Sequence, residues 1–255
     1  MGKKGKTHRL KRKPAPRFWP VHRKEFQWIV KPASGPHSTD NCLPLVLVLR
    51  DMLGLAETRK EAKMIVSQGK VYVDGKVRRS DDFPVGLMDV ISMPDMKKFY
   101  RVIPSHKGLT LNPISEEEAS FKLFRVEDRT TLRDGTVQIA LHDGSNIRLK
   151  QENAEAPREI SYATFDILKA SLPDKEVLGS IQTKVGNLAI ITGGKNIGKQ
   201  GKIVEIEKTE AKKRRNALVV VEDEKGNRYQ TILDFVFSIG SAEPLIALPE
   251  AASVV

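Results

Sequence analysis

The sequence predicts an α+β chain built of several small units: an extended basic N-terminal arm, a small α/β unit, a β-rich centre and a small β-barrel. Three observations carry that expectation. Ten basic side chains and no acid fall within residues 1–24, against a net charge of +11 for the whole chain. From about residue 44 a helical apolar period with capping signals gives way to a hairpin signature. Beyond residue 95, apolar and polar residues alternate between Asp-Gly and Gly-rich turns, which is the period of strands. At 255 residues the chain has room for more than one domain. The expected boundaries are 1–42, 43–94, 95–180 and 181–240, with a tail over 241–255.

Composition excludes several classes. A 40% apolar content supports small cores and argues against wholesale disorder, while 6% aromatics argue against one large aromatic core. The longest apolar run, Cys42 to Leu49, is far short of the roughly 18–20 residues of a membrane helix. One cysteine leaves no internal disulfide framework and no thiolate cluster for zinc. The basic N-terminus lacks the apolar stretch of a secretory signal, so a soluble intracellular protein is expected.

The arm carries Lys3, Lys4, Lys6, Arg9, Lys11, Arg12, Lys13, Arg17, Arg23 and Lys24 before the first acid, Glu25. Such a segment repels itself and needs a polyanion to become ordered. Pro14, Pro16 and Pro20 extend it, and Phe18, Trp19, Phe26 and Trp28 follow among the cations. Cations interleaved with aromatics suit phosphate contact and base stacking. A solubilising or import-like tail is the plain alternative, and the aromatics have docking on the protein's own body as theirs.

In the next unit, Pro44 suits a helix start and Leu45 to Leu53 reads as a short buried helix ending at Gly54. Thr58 and Glu61 form a capping-box pattern that opens a second helix. Ala62, Ile65 and Val66 share one face of it; Arg59, Lys60, Lys63 and Ser67 share another. Gly69 stops the helix. Lys70 to Val73, the Asp74-Gly75 turn and Lys76 to Arg79 form a hairpin, and Met88 to Met93 a further strand. Either the basic helix face is simply solvated, or Arg59, Lys60, Lys63, Lys70, Lys76, Arg78 and Arg79 converge on one anion-binding surface. The run Thr58-Arg59-Lys60-Glu61-Ala62-Lys63, then Ile65, then Gly69 to Arg78, resembles the S4-type RNA-binding domain. The resemblance implies shape-dependent binding of structured RNA, with the helix N-terminus and its cations on phosphates.

Strands are expected over Lys98 to Ile103, Gly108 to Leu111, Phe121 to Thr131, Thr136 to Leu141 and Ile147 to Leu149. One helical turn is expected at Glu116 to Ala119 after Ser115. The acids of this region show no repeated metal-ligand spacing. His106 and His142 are isolated and expected to be exposed or in loops.

Gly193 to Gln200 nearly spells a phosphate-binding P-loop. Gln200 stands where that site needs a hydroxyl, and the alternation Val204-Glu205-Ile206-Glu207 predicts a strand where a helix is required. The better reading is strand, Gly-rich turn, strand over Leu188 to Ile206, then a second pair over Leu218 to Val221 and Arg228 to Ile232. Lys212, Lys213, Arg214 and Arg215 make a basic loop tip between the pairs, and Lys195 and Lys199 lie in the first turn. This region resembles the KOW motif, a small SH3-like β-barrel module of ribosomal and transcription-elongation proteins.

Taken in order, the arm, the S4-like unit, the β-rich centre and the KOW-like unit resemble the archaeal and eukaryotic small-subunit ribosomal protein family "four, e-type". Gly35-Pro36-His37, Pro44-Leu45, Leu49-Arg50-Asp51 and Phe83 to Val90 add to the resemblance. The end at Pro249 to Val255, without a long basic tail, suggests the archaeal form. The resemblance implies a structural protein bound to small-subunit ribosomal RNA and to neighbouring ribosomal proteins. No cofactor, metal, small-molecule substrate or catalytic residue is expected. An RNA-modifying enzyme is the first competitor, but the chain has no Arg-Leu-Asp tripeptide of the pseudouridine synthases; an elongation factor is the second. Removal of residues 1–24 is expected to weaken RNA binding while barely changing stability.

Overall fold

The structure, a computed structural model, describes residues 9–133, 135–149, 162–207, 214–241 and 243–248. The arm is folded where it is described. Strand β1 (Leu10–Lys11) pairs antiparallel with β2 (Trp28–Ile29). The expectation of a self-repelling coil over these residues is corrected by apolar burial: Ala15, Trp19, Val21 and Val30 sit in the same core as Leu45 to Leu49. Trp19, 2% exposed, donates its indole N–H to the Cys42 carbonyl at 2.8 Å. Burying a tryptophan with its polar tip satisfied outweighs repulsion among cations that still face water.

After β3 (Cys42–Pro44) the chain enters α1 (Leu45–Leu47), which continues as a π-type turn over Val48–Met52. The regular helix expected to Leu53 thus widens: the Leu53 N–H reaches back five residues to the Val48 carbonyl. Helix α2 (Arg59–Ser67) starts as its capping box requires. The Thr58 hydroxyl accepts from the Glu61 N–H at 3.3 Å, and the Glu61 carboxylate takes the N–H groups of Glu57 and Thr58. Ala62 and Val66 turn inward.

Strands β4 (Tyr72–Val73) and β5 (Lys76–Val77) form the hairpin. Strand β6 (Pro84–Gly86) pairs with β3, and β7 (Val90–Met93) with β4. The sheet does not stop at the boundary expected near residue 94. Strands β8 (Lys98–Ser105) and β9 (Gly108–Pro113) complete it in the order β5-β4-β7-β8-β9.

The single turn α3 (Glu116–Ala119), capped by Ser115, leads into the central sheet. Its strands are β10 (Phe121–Thr131), β11 (Val137–Leu141), β12 (Asn146–Leu149), β13 (Ile167–Ser171) and β14 (Val177–Ile181), in the order β12-β11-β10-β13-β14. The last sheet comprises β15 (Leu188–Ile191), β16 (Gln200–Glu207), β17 (Leu218–Glu222), β18 (Arg228–Ile232) and β19 (Val236–Gly240). Its order is β18-β17-β16-β15-β19, so the two outer strands do not pair and the expected barrel is an open sheet.

One apolar cluster joins the three larger sheets: Ile103 from the first, with Met88 of the turn before β7, Leu123 and Ile167 from the second, Ile190 and Phe237 from the third. Beside it lies a buried ionic knot. Lys122, fully buried on β10, puts its ammonium 2.6 Å from Asp74 and 2.5 Å from Asp89. Asp143 stands 4.0 Å away and is also held by Lys175 at 2.9 Å. His37 closes on Asp89 at 3.0 Å. Burial opposes the charge on Lys122, but its three carboxylates outweigh that and hold its pKa above the ordinary lysine range. Burial likewise opposes ionisation of Asp89, and Lys122 and His37 reverse it, so the carboxyl is held low.

His142 lies in the turn between β11 and β12, as expected of a loop histidine, but it is not exposed there. Its Nδ1 accepts from the Arg125 N–H and its Nε2 lies 3.2 Å from the Leu87 carbonyl, against the rings of Phe124 and Phe237. Burial, then the nearby Lys122 cation, push its pKa down to about 3.

Candidate nucleic-acid interface

The capping box fixes where α2 begins, and so places its basic face. Arg59, Lys60 and Lys63 are all exposed on the first two turns. Arg59 is not free to turn: its Nε–H donates to Asp81 at 2.9 Å. Lys70, Lys76 and Arg79 are exposed around the hairpin, and Arg78 is half-buried with its guanidinium 4.1 Å from the Phe83 ring. The hairpin turn abuts another element: a Cβ on Gly75 would meet Pro173 at 3.1 Å. Lys76 therefore stands beside the central sheet, while Arg79 lies by the C-terminal end of α2, near Gly69.

In the arm, Arg9, Lys11, Lys13, Arg17, Arg23, Lys24 and Trp28 are exposed. Two residues of the expected RNA-contacting set leave it in this conformation. Trp19 has no free ring face, and Arg12 is buried with its Nε–H bonded to the Val21 carbonyl at 2.9 Å. Both are structural pegs, the indole N–H and the guanidinium each satisfying a backbone carbonyl of the chain. Trp28 keeps its ring outward, with Lys11 Nζ 5.5 Å and the Arg9 guanidinium 5.9 Å from its centre. Arg59 of α2 lines the same small cleft as Phe26 and Trp28, so the arm and the helix share one surface.

The third sheet contributes from a separate place. Lys195 and Lys199 are exposed in the turn before β16, with Lys199 over the Tyr229 ring at 5.5 Å. That turn is pressed onto the β8–β9 turn. A Cβ on Gly198, whose φ is +81°, would lie 2.7 Å from the Ser105 carbonyl carbon, so only glycine fits. Arg215 is exposed and ion-paired to Glu127 at 3.7 Å. Arg214 opens a single 3-10 turn with Arg215 and Asn216. Lys3, Lys4, Lys6, Lys212 and Lys213 lie outside the described residues.

No nucleotide-binding geometry accompanies the P-loop-like string. Strand β16 begins at Gln200, so no helix N-terminus stands behind the turn, and Gly193 packs on the Phe235 ring. Among the described residues no three His, Cys, Asp or Glu side chains are grouped to hold a metal.

Sequence reasoning passed over Phe26 as a site residue and missed the Lys122 knot altogether. The signal for Lys122 was available: a lone lysine inside Phe121-Lys122-Leu123-Phe124, an apolar strand run where an unpaired charge is costly.

The chain matches the S4 domain over residues 43–91 and the KOW motif over residues 185–222. These two modules define a composite RNA-binding protein of ribosomal type. The RS4NT domain matches residues 4–40, and the Ribosomal family S4e matches residues 96–177. The small ribosomal subunit protein eS4 of Desulfurococcus amylolyticus is 47% identical over 253 residues, covering 99% of this chain and all of that one. Its counterpart in Methanocaldococcus jannaschii is 42% identical over 97% of this chain. The crystal structure of 30S ribosomal protein S4e from Thermoplasma acidophilum superposes with a TM-score of 0.64 at 32% identity, covering 80% of this chain and 97% of that one. The chain belongs to the small ribosomal subunit protein eS4 family.

Proposed function

We propose that this chain is a structural constituent of the small ribosomal subunit, one that binds the subunit's ribosomal RNA, supports its assembly and catalyses nothing. The observation that carries the reading is family membership along the whole chain, joined to exposed cations on the arm ribbon and on α2. Its partners are small-subunit ribosomal RNA and neighbouring ribosomal proteins, and its place is the cytoplasmic ribosome.

The working parts follow from charge and rigidity. Lys60, Lys63, Lys70 and Arg79 neutralise phosphates around α2, and Lys11, Lys13, Arg17, Arg23 and Lys24 do so along the ribbon. Lys3, Lys4 and Lys6 act as a basic extension that enters folded RNA. The open third sheet serves as part of an SH3-like module, with Lys195, Lys199 and the basic run Lys212 to Arg215 orienting it on the RNA. Each phosphate neutralised contributes a slope of about −0.7 to −0.9 in log K against log salt. Sedimentation of the native protein tests the reading: it should travel with small ribosomal subunits at low salt. Recovery wholly in the free fraction, or no affinity of the pure protein for ribosomal RNA at low ionic strength, overturns it.

A further inference from the structure

Phe26 and Trp28 are among the few large apolar side chains left in water, 54% and 48% exposed, in a protein that otherwise buries its aromatic rings well. They follow one another on the same edge of the arm ribbon, with Gln27 between them. A cleft of about 520 Å³ opens beside Phe26, and Lys11, Lys13, Arg23 and Lys24 line it. No carboxylate lines it. Phe26 also lines a smaller cleft of about 150 Å³, together with Trp28, Arg50 and Arg59. The larger cleft has the size of a small-ligand site. Its chemistry, cations on the walls and a bare ring at the edge, fits a phosphate joined to a flat apolar group.

We infer that Phe26 and Trp28 form a stacking platform for unpaired nucleotides, the bases lying on the two rings and their phosphates against Lys11, Lys13, Arg23 and Lys24. This rests on the RNA-binding reading and narrows it. The ribbon takes single-stranded or extruded bases, whereas α2 takes backbone phosphates of structured RNA. Duplex RNA offers phosphates to the lysines but keeps its base faces stacked internally, so it cannot use the rings. The ribbon is held rigid for this purpose by Trp19 and Arg12, whose buried contacts anchor it to the core.

The test uses the full chain and its own two tryptophans. Trp19 is enclosed, so quenching by a polynucleotide reports on Trp28. An oligouridylate and an RNA duplex of equal phosphate number are titrated at matched salt against the native protein and the variant Trp28→Leu. Stacking predicts that the oligouridylate quenches part of the emission and the duplex binds without quenching. It also predicts that Trp28→Leu loses about tenfold in affinity for the single strand and none for the duplex. Phe26→Leu, which keeps an apolar side chain at that position, should lose single-strand affinity in the same sense. Binding of both RNAs with no quenching, or equal affinity of native and Trp28→Leu protein for the oligouridylate, overturns the platform and leaves the RNA-binding reading standing. Failure of both RNAs to bind overturns the two together.

Discussion

Lys122 shows at the scale of one side chain how a buried charge is held by the partners around it. Its ammonium touches two carboxylates and lies within reach of a third, so desolvation is met by attraction in a medium that screens little. Lys122→Met removes the cation and leaves Asp74, Asp89 and Asp143 facing one another. Urea unfolding should show a loss of about 3–5 kcal/mol. His142 makes a second prediction, about pH. It titrates near 6.5 when unfolded and near 3 when folded, so the native state resists the proton. Its contribution to stability is whole above the unfolded value and declines as pH falls from there toward the folded one. His142→Phe keeps a ring against Phe124 and Phe237 but loses two hydrogen bonds. It should unfold more easily at neutral pH and show a flatter loss of stability between neutral pH and the carboxylate range. Neither residue was read as a site: the lone lysine in an apolar strand run signals that a partner must exist, but the partners lie at positions 74, 89 and 143, and nothing local announces which they are.

Among elements, α2 was the most legible, because a capping box and an apolar stripe are local and act together. Thr58→Ala should cost the protein about 1 kcal/mol in thermal or urea unfolding, with Arg59, Lys60 and Lys63 left in place. Reversing Lys60 and Lys63 to Glu should leave stability nearly unchanged, lower affinity for ribosomal RNA and reduce the salt slope by about 1 per lysine. An unchanged slope would count against the assignment of that face to phosphates. Strands β8 to β12 and β15 to β18 were legible from alternation and turns, whereas β13, β14 and β19 were not expected. The π-type turn was not, since Leu45 to Leu53 is apolar on every side and gives no period to read. Nor was the open edge between β18 and β19, because closure depends on curvature accumulated over five strands. At Gly86 a Cβ would sit 2.3 Å from the His37 ring, a contact between segments that local pattern cannot reveal.

For the whole molecule, the largest revision concerns the arm. Charge alone predicted a detachable tail, and the sequence contained the counter-argument in Trp19 and Val21, whose burial needed a partner surface to be seen. Removing residues 1–24 takes away Ala15, Trp19 and Val21 from the first core, and with them β1. Thermal unfolding of that truncation should show a clear loss of stability, on the scale of about 3–5 kcal/mol for the tryptophan alone. Removing only residues 1–8 spares those groups. It should leave the melting temperature close to that of the full chain and reduce the salt slope of RNA binding through Lys3, Lys4 and Lys6.

The ionic knot also bears on how the protein is made. Translation delivers His37, Asp74 and Asp89 first, Lys122 only later, and Asp143 and Lys175 later still. Until then Asp74 lacks its ammonium partner and Asp89 has His37 alone. The knot is therefore complete only once the central strands have been synthesised, whereas the core that holds the N-terminal ribbon draws on residues no later than Leu111 and needs none of them.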